Sequence, residues 1–129
     1  MSTAVDANVV IAWQTPGHVF HEEAVRWIGE AEPPLIMNEL NLAEVLVGLP
    51  STVWSDVIAA LETMGFEFVT TNAREIAEAR VSTGLRMPDA CVLAAAHQAG
   101  ADTVLTFDTT LQSAATAQGF ATDVVGPPV

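Results

Sequence analysis

Lysine is absent from this chain of 129 residues, and the only arginines are Arg26, Arg74, Arg80 and Arg86, against sixteen acidic residues. A broad electrostatic grip on nucleic acid needs a basic stripe. Any nucleic-acid chemistry here therefore relies on metal ions, a few arginines or a surface supplied by a second subunit. Cysteine is nearly absent too. Cys91 stands alone, so no internal disulfide forms, which fits a reducing compartment. No apolar run reaches the length of a membrane-spanning helix. The first six residues lack a basic region followed by an apolar run, so they do not read as a secretory signal. The expectation is a cytoplasmic protein with no membrane partner. No glycine-rich phosphate fingerprint follows the first strand, which disfavours a dinucleotide fold. Repeats and low-complexity linkers are also missing, and the length suits one domain over residues 1–129.

What is present is an alternation of short apolar runs with helical patterns. Strands are expected at 2–6, 35–37, 66–69 and 103–106, with a further one at 123–125. Helices are expected at 7–13, 18–31, 39–46, 53–64, 73–83, 88–99 and 109–118. The punctuation supports these limits. Thr15-Pro16-Gly17 and Gly48-Leu49-Pro50 are turn signals, Asn38 and Asn72 are helix caps, Gly84 and Gly100 end helices, and Pro88 opens one. Such an order implies an α/β sandwich with a mainly parallel sheet, whose ligands sit beyond the carboxyl ends of the strands. Asp6 and Asp108 both fall at that end of an expected strand.

Four acids are embedded in core-like sequence. Asp6 lies between Ala4-Val5 and Val9-Val10-Ile11, and Glu44 lies within Leu42-Ala43-Glu44-Val45-Leu46. Asp89 precedes Ala90-Cys91-Val92-Leu93, and Asp108 follows Val104-Leu105-Thr106-Phe107. Taken singly, each has a plain reading. Asp6 caps a helix, Asp89 favours a helix start, Glu44 lies on a solvent stripe, and Asp108 is a turn residue. Taken together, in these positions, they read as a site. Buried carboxylates need a compensating cation or hydrogen bonds, and crowded ones raise each other's pKa. Oxygen donors suit Mg²⁺ or Mn²⁺, and phosphodiester hydrolysis is the natural reaction for such a cluster.

Four segments carry a resemblance: Val5-Asp6-Ala7-Asn8-Val9, Leu42-Ala43-Glu44-Val45-Leu46-Val47-Gly48, Leu85-Arg86-Met87-Pro88-Asp89-Ala90 and Leu105-Thr106-Phe107-Asp108. Their order and spacing resemble PIN-domain ribonucleases, in particular the VapC toxins of bacterial type II toxin–antitoxin pairs. The resemblance implies a three-layer α/β/α sandwich, an acidic pocket for one or two Mg²⁺ or Mn²⁺ ions, and RNA cleavage by metal-activated water. It places Asp6, Glu44, Asp89 and Asp108 on the family's acidic positions and makes Asn8 and Thr106 their polar supports. Thr109, Thr110 and Leu111 follow the last acid, where some members carry a further acid. The resemblance also places the groove for a cognate antitoxin between the early helices. The acidity of the chain favours a partner carrying basic residues, so the expectation is a homodimer that binds a basic antitoxin tail.

Beyond the acids, Arg86 and Arg80 are the basic residues nearest Asp89 in sequence and are candidates for contacting RNA phosphate. Trp54, beside the Gly48-Leu49-Pro50 break, is a candidate antitoxin anchor. Other constellations fail. His21-Glu22-Glu23 lacks the second histidine of a zinc-protease helix, since position 25 is Val25. Cys91, among aliphatics, reads as a small core residue. A response-regulator phosphoacceptor or a haloacid-dehalogenase-like phosphatase relies on a lysine that is not there. The remaining alternative is a PIN-like module that keeps the acids for metal or protein binding without cutting RNA.

Overall fold

The computed structural model describes residues 2–124. Four strands form one sheet: β1 (Thr3–Val5), β2 (Leu35–Asn38), β3 (Phe66–Val69) and β4 (Thr103–Leu105). Their order is β3-β2-β1-β4, and every pairing is parallel. Seven helices connect and cover them among the described residues: α1 (Ala7–Gln14), α2 (His21–Glu30), α3 (Glu39–Val47), α4 (Trp54–Thr63), α5 (Ala73–Thr83), α6 (Met87–Ala99) and α7 (Thr109–Ala117). A single 3₁₀ turn at Ser51–Val53 leads into α4.

The period-two alternation of strand side chains divides the core in two. Val5, Leu35, Met37 and Leu105 join the buried residues of α1 to α4 on one face. Ala4 and Val104 join Val92, Leu93 and Ala96 of α6 and Leu111 and Ala115 of α7 on the other. The result is the expected three-layer α/β/α sandwich. Asp89 to Ala96 of α6 are all buried, which explains why that helix is apolar all round rather than striped.

Local chemistry sets the boundaries. Asn38 and Asn72 cap α3 and α5 through their side-chain oxygens, which accept from Leu40 N and Glu75 N. Gly84 and Gly100 take left-handed φ values of 73° and 63° at the ends of α5 and α6, a conformation that favours glycine. The second helix starts later than the expected residue 18. Phe20 N donates to His18 Nδ1 at 3.0 Å, a local bond that holds the backbone out of the helix until His21. The strand expected at 123–125 is not formed over Asp123 and Val124; Val125 lies outside the described residues. Edge pairing occurs earlier, as one parallel bridge between Ala121 and Thr103. Beyond it Asp123 turns to α2, accepting from Trp27 Nε1 at 2.7 Å, which takes the chain away from β4.

Candidate active site

Parallel strands all present their carboxyl ends at one edge, and the loops leaving β1 and β4 there carry Asp6 and Asp108. Asp6 still belongs to the ladder, because its N–H donates to Leu105 O at 2.9 Å. It occupies the N-cap position of α1, yet its side chain makes no cap bond. Its Oδ2 instead accepts from Thr106 Oγ1 at 2.7 Å. Thr106 is fully buried and accepts in turn from Asn8 Nδ2 at 3.2 Å and Asp108 N at 3.0 Å. Asn8 Oδ1 accepts from Phe107 N at 3.3 Å. One threonine and one asparagine thus tie the ends of β1 and β4 together and fix the Asp6 carboxylate.

Glu44 reaches the same edge from α3. Its Oε1 accepts from Asn41 Nδ2 at 2.9 Å, and the same amide donates to Pro88 O at 3.1 Å, one residue before Asp89. Asn41 thereby couples α3 to the start of α6. It is completely buried, and its Oδ1 is a buried polar atom without a partner. Asp89, also buried, has the exposed Arg86 guanidinium 4.0 Å away. Asp108 also serves as a helix cap: its Oδ1 accepts from Thr110 N at 2.8 Å and Leu111 N at 3.1 Å at the start of α7.

The electrostatics are those of uncompensated carboxylates. Burial raises the Asp6 carboxyl from its ordinary 3.8. The Thr106 hydrogen bond opposes this, the charges of Asp89 and Glu44 add to it, and the pKa reaches about 6. Asp89 is raised for the same reasons: burial first, then Asp108, with Arg86 opposing and Glu44 adding. Asp6 and Asp89 therefore each feel two of the other acids.

The donor set fits a hard divalent cation. It consists of carboxylate oxygens whose mutual repulsion a cation would relieve, with an unpartnered amide oxygen nearby. Asp6, Glu44, Asp89 and Asp108 are the residues that would hold it. Among the described residues, no three histidine, cysteine, aspartate or glutamate side chains stand close enough to one point to ligate an ion. The four acids share an edge of the sheet and an electrostatic neighbourhood rather than a formed coordination sphere.

Of the other candidate residues, Thr106 donates directly to Asp6, whereas Asn8 reaches Thr106 and Phe107 N rather than the carboxylate. Arg86 is brought to Asp89. Arg80 is exposed on α5, and its side chain makes no ion pair or hydrogen bond among the described residues. Trp54 opens α4 and donates its indole N–H to Leu46 O at 2.7 Å, a carbonyl of the last turn of α3, and to Leu49 O at 3.1 Å in the loop beyond it. Cys91 is buried, as expected of a core residue. Asn41 is the residue that sequence reasoning overlooked. The available signal was an amide between Leu40 and Leu42, three residues before Glu44 and so on its helix face.

The chain is similar to several solved structures. VapC20 of Mycobacterium tuberculosis, described as a sarcin–ricin loop cleaving toxin, is 18% identical with a TM-score of 0.73, covering 97% of this chain and 99% of that one. A toxin–antitoxin complex from Klebsiella pneumoniae is 25% identical with a TM-score of 0.66, covering 83% and 87%. FitAcB from Neisseria gonorrhoeae is 20% identical with a TM-score of 0.65, covering 94% and 96%. No curated protein matches the chain at a significant level. The family model of the PIN domain matches residues 3–117. With that match, the parallel four-stranded sheet and the acids gathered at its carboxyl edge, the chain belongs to the PIN-domain family.

Proposed function

We propose that this protein is a divalent-metal-dependent endoribonuclease, acting as the toxin of a toxin–antitoxin pair and restrained by its antitoxin. The observation that carries the reading is the pair of buried carboxylates, Asp6 and Asp89. Both are raised by burial and then by neighbouring carboxylates, Asp89 and Glu44 for Asp6 and Asp108 and Glu44 for Asp89, at the strand edge where an α/β sheet binds its ligands. Toxin and toxin–antitoxin structures among the similar folds support the biological setting.

The chain's own residues do three things in this mechanism. Thr106 and Asn8 hold Asp6 at a fixed angle, and Asn41 holds Glu44 beside the start of α6. Arg86, exposed at the rim, offers a bidentate grip on a phosphate. Asp6, Glu44, Asp89 and Asp108 are the residues that would hold the cation. When bound, Mg²⁺ or Mn²⁺ lowers the pKa of a water and neutralises charge developing on the phosphate. No histidine or lysine stands among these residues to act as a general base.

Incubation with mixed RNA tests the reading. Cleavage is expected with Mn²⁺ or Mg²⁺, is lost in EDTA, and leaves 5′-phosphate and 3′-hydroxyl ends. Cyclic 2′,3′-phosphate ends, or cutting that persists in EDTA, overturn it. One observation favours a second reading, a binding module that does not cut: no coordination sphere is formed among the described residues, and one Asp108 oxygen is committed to capping α7. Metal binding without turnover would select that reading.

The partners follow from charge and shape. A net charge of −12 favours an antitoxin tail rich in basic residues that reaches the carboxylates and competes with the cation. Trp54, 39% exposed at the α3–α4 junction, is the proposed anchor beside the antitoxin groove of a cytoplasmic homodimer. Trp54→Phe keeps an aromatic ring but removes the N–H. Trp54→Ala removes both. Weaker antitoxin binding by the alanine variant, with RNA cleavage intact, is the expected result.

A further inference from the structure

Phe107 sits between Thr106, which fixes Asp6, and Asp108. Its ring is the middle member of a three-ring stack. Trp27 lies at 4.7 Å between centroids and 10° from parallel, and Phe20 at 4.5 Å and 9°. The inner end is fastened, since Trp27 is buried and its indole N–H donates to Asp123. The outer end is open, with Phe20 42% exposed. The only other ring near Phe20 among the described residues is the His18 imidazole, at 6.0 Å and tilted by 36°, which is not stacked on it. The bond from Phe20 N to His18 Nδ1 holds this segment in a turn, so the ring is presented by a fixed backbone.

Charge sharpens the question of what this ring is for. Four arginines cannot supply the phosphate contacts that usually hold single-stranded nucleic acid, and Arg26 is already engaged by Glu23, Glu30 and Asp123. The other general source of affinity is stacking of bases on aromatic side chains, which is tolerant of sequence. We propose that Phe20 is a stacking platform for an unpaired RNA base, placing the strand alongside the acidic edge next to Phe107. The proposal rests on the nuclease reading for its substrate class. Val19 is also exposed here, so a second protein chain is the competing occupant.

The test uses the full chain and short single-stranded RNAs carrying 2-aminopurine, with Ca²⁺ present so that the carboxylates are charge-compensated. Stacking quenches the fluorophore. The wild type is expected to quench it. Phe20→Leu, which keeps an apolar side chain but no ring, should weaken binding at least about five-fold, and Phe20→Trp should restore it. In Mn²⁺, Phe20→Leu should raise KM by a similar factor with kcat changed less than about two-fold, a split that a merely structural ring would not produce. No quenching by the wild type, equal quenching by Phe20→Leu, or a change of oligomeric state in Phe20→Leu that accompanies the loss overturns the proposal; the last outcome assigns the ring to a protein interface. Quenching that depends on Phe20 without any cleavage in Mn²⁺ leaves the platform standing and removes the nuclease reading instead.

Discussion

At the carboxyl edge of the sheet, Asp6 is buried near Asp89 and Glu44, and its pKa rises to about 6. On the outer side of α2, Asp123 is held below the usual carboxylate range. There the slight burial is outweighed by hydrogen bonds from Arg26, Trp27 and Val124 N. The same side chain is thus destabilised when ionised in one region and stabilised in the other. The difference is a cationic donor in direct contact, because the acids of the sheet edge have only neutral donors such as Thr106, Asn41 and backbone N–H groups. Arg26 gathers Glu23, Glu30 and Asp123 around one guanidinium, whereas the acidic edge has four carboxylates and only the exposed Arg86 beside them among the described residues. A structural cluster satisfies its charges within the chain. At the sheet edge burial and neighbouring carboxylates raise Asp6 and Asp89, and under the proposed function a cation or a basic partner would supply the missing compensation.

The largest expected effect separates the two regions by activity. Asp6→Asn and Asp89→Asn should each lower RNA cleavage by more than ~100-fold, given that even the outer supports of a metal site affect it by 10- to 100-fold. Asp123→Asn should leave cleavage unchanged. Initial rates in Mn²⁺ check this, and comparable loss in all three variants would erase the distinction.

Stability should run in the opposite direction. Folded Asp6 holds its proton more tightly than unfolded Asp6, so its contribution favours folding below about pH 4. That contribution is lost as the pH rises from 3.8 through about 6. Ionised at pH 7.5, Asp6 costs about 1–3 kcal/mol, and Asp6→Asn should recover it while keeping an acceptor for Thr106. Asp123 has the reverse sign: its contribution is present above its unfolded pKa and fades as the pH falls below about 4. Asp123→Asn should lose about 1 kcal/mol at pH 7.5, mainly from weakened bonds to Trp27 and Arg26. Urea denaturation in EDTA at pH 7.5 and pH 4 measures both, and the gap between the variants should narrow at the lower pH. A destabilised Asp6→Asn at pH 7.5 would show that its carboxylate is already compensated.

Metal sharpens the comparison further. Mn²⁺ should raise the melting temperature of the wild type and of Asp123→Asn by similar amounts, and that of Asp6→Asn by less, because cation binding to the folded state stabilises it by mass action. The smallest effect concerns the rim. Arg86→Ala should weaken RNA binding about two- to five-fold, in keeping with an exposed charge worth up to ~1 kcal/mol, and Arg26→Ala should not weaken it. Equal affinities by filter binding would remove Arg86 from the site.

Much of this architecture was legible in the sequence because its signals are local. Asn38, Asn72, Gly84 and Gly100 act through atoms within a few residues, so their helix ends fell where expected. The start of α2 was misplaced by three residues because periodicity cannot register the His18–Phe20 bond that competes with the helix. The last strand was misplaced because its pairing depends on where Asp123 is drawn, and its partners Arg26 and Trp27 lie about a hundred residues away. The four acids were visible as charges in apolar surroundings. Asn41 was not, since a buried amide is recognisable only once Pro88 O is known to lie 3.1 Å from it. The stack of Phe20, Phe107 and Trp27 escaped for the same reason.

By itself the sequence determined the alternation of strands and helices up to α7 and the parallel α/β class, and it singled out four acids in apolar surroundings. These follow from side-chain periodicity, turn chemistry and the rule that charge does not sit idly in apolar segments. Only the tertiary structure decided which oxygens are free. It gave Asp6 to Thr106, committed one oxygen of Asp108 to α7, left Asn41 Oδ1 without a partner and set Asp123 against Arg26. The physical reason is that a carboxylate's pKa and its availability to a ligand depend on the donors within a few ångströms, and in a parallel sheet those donors come from strands a hundred residues apart.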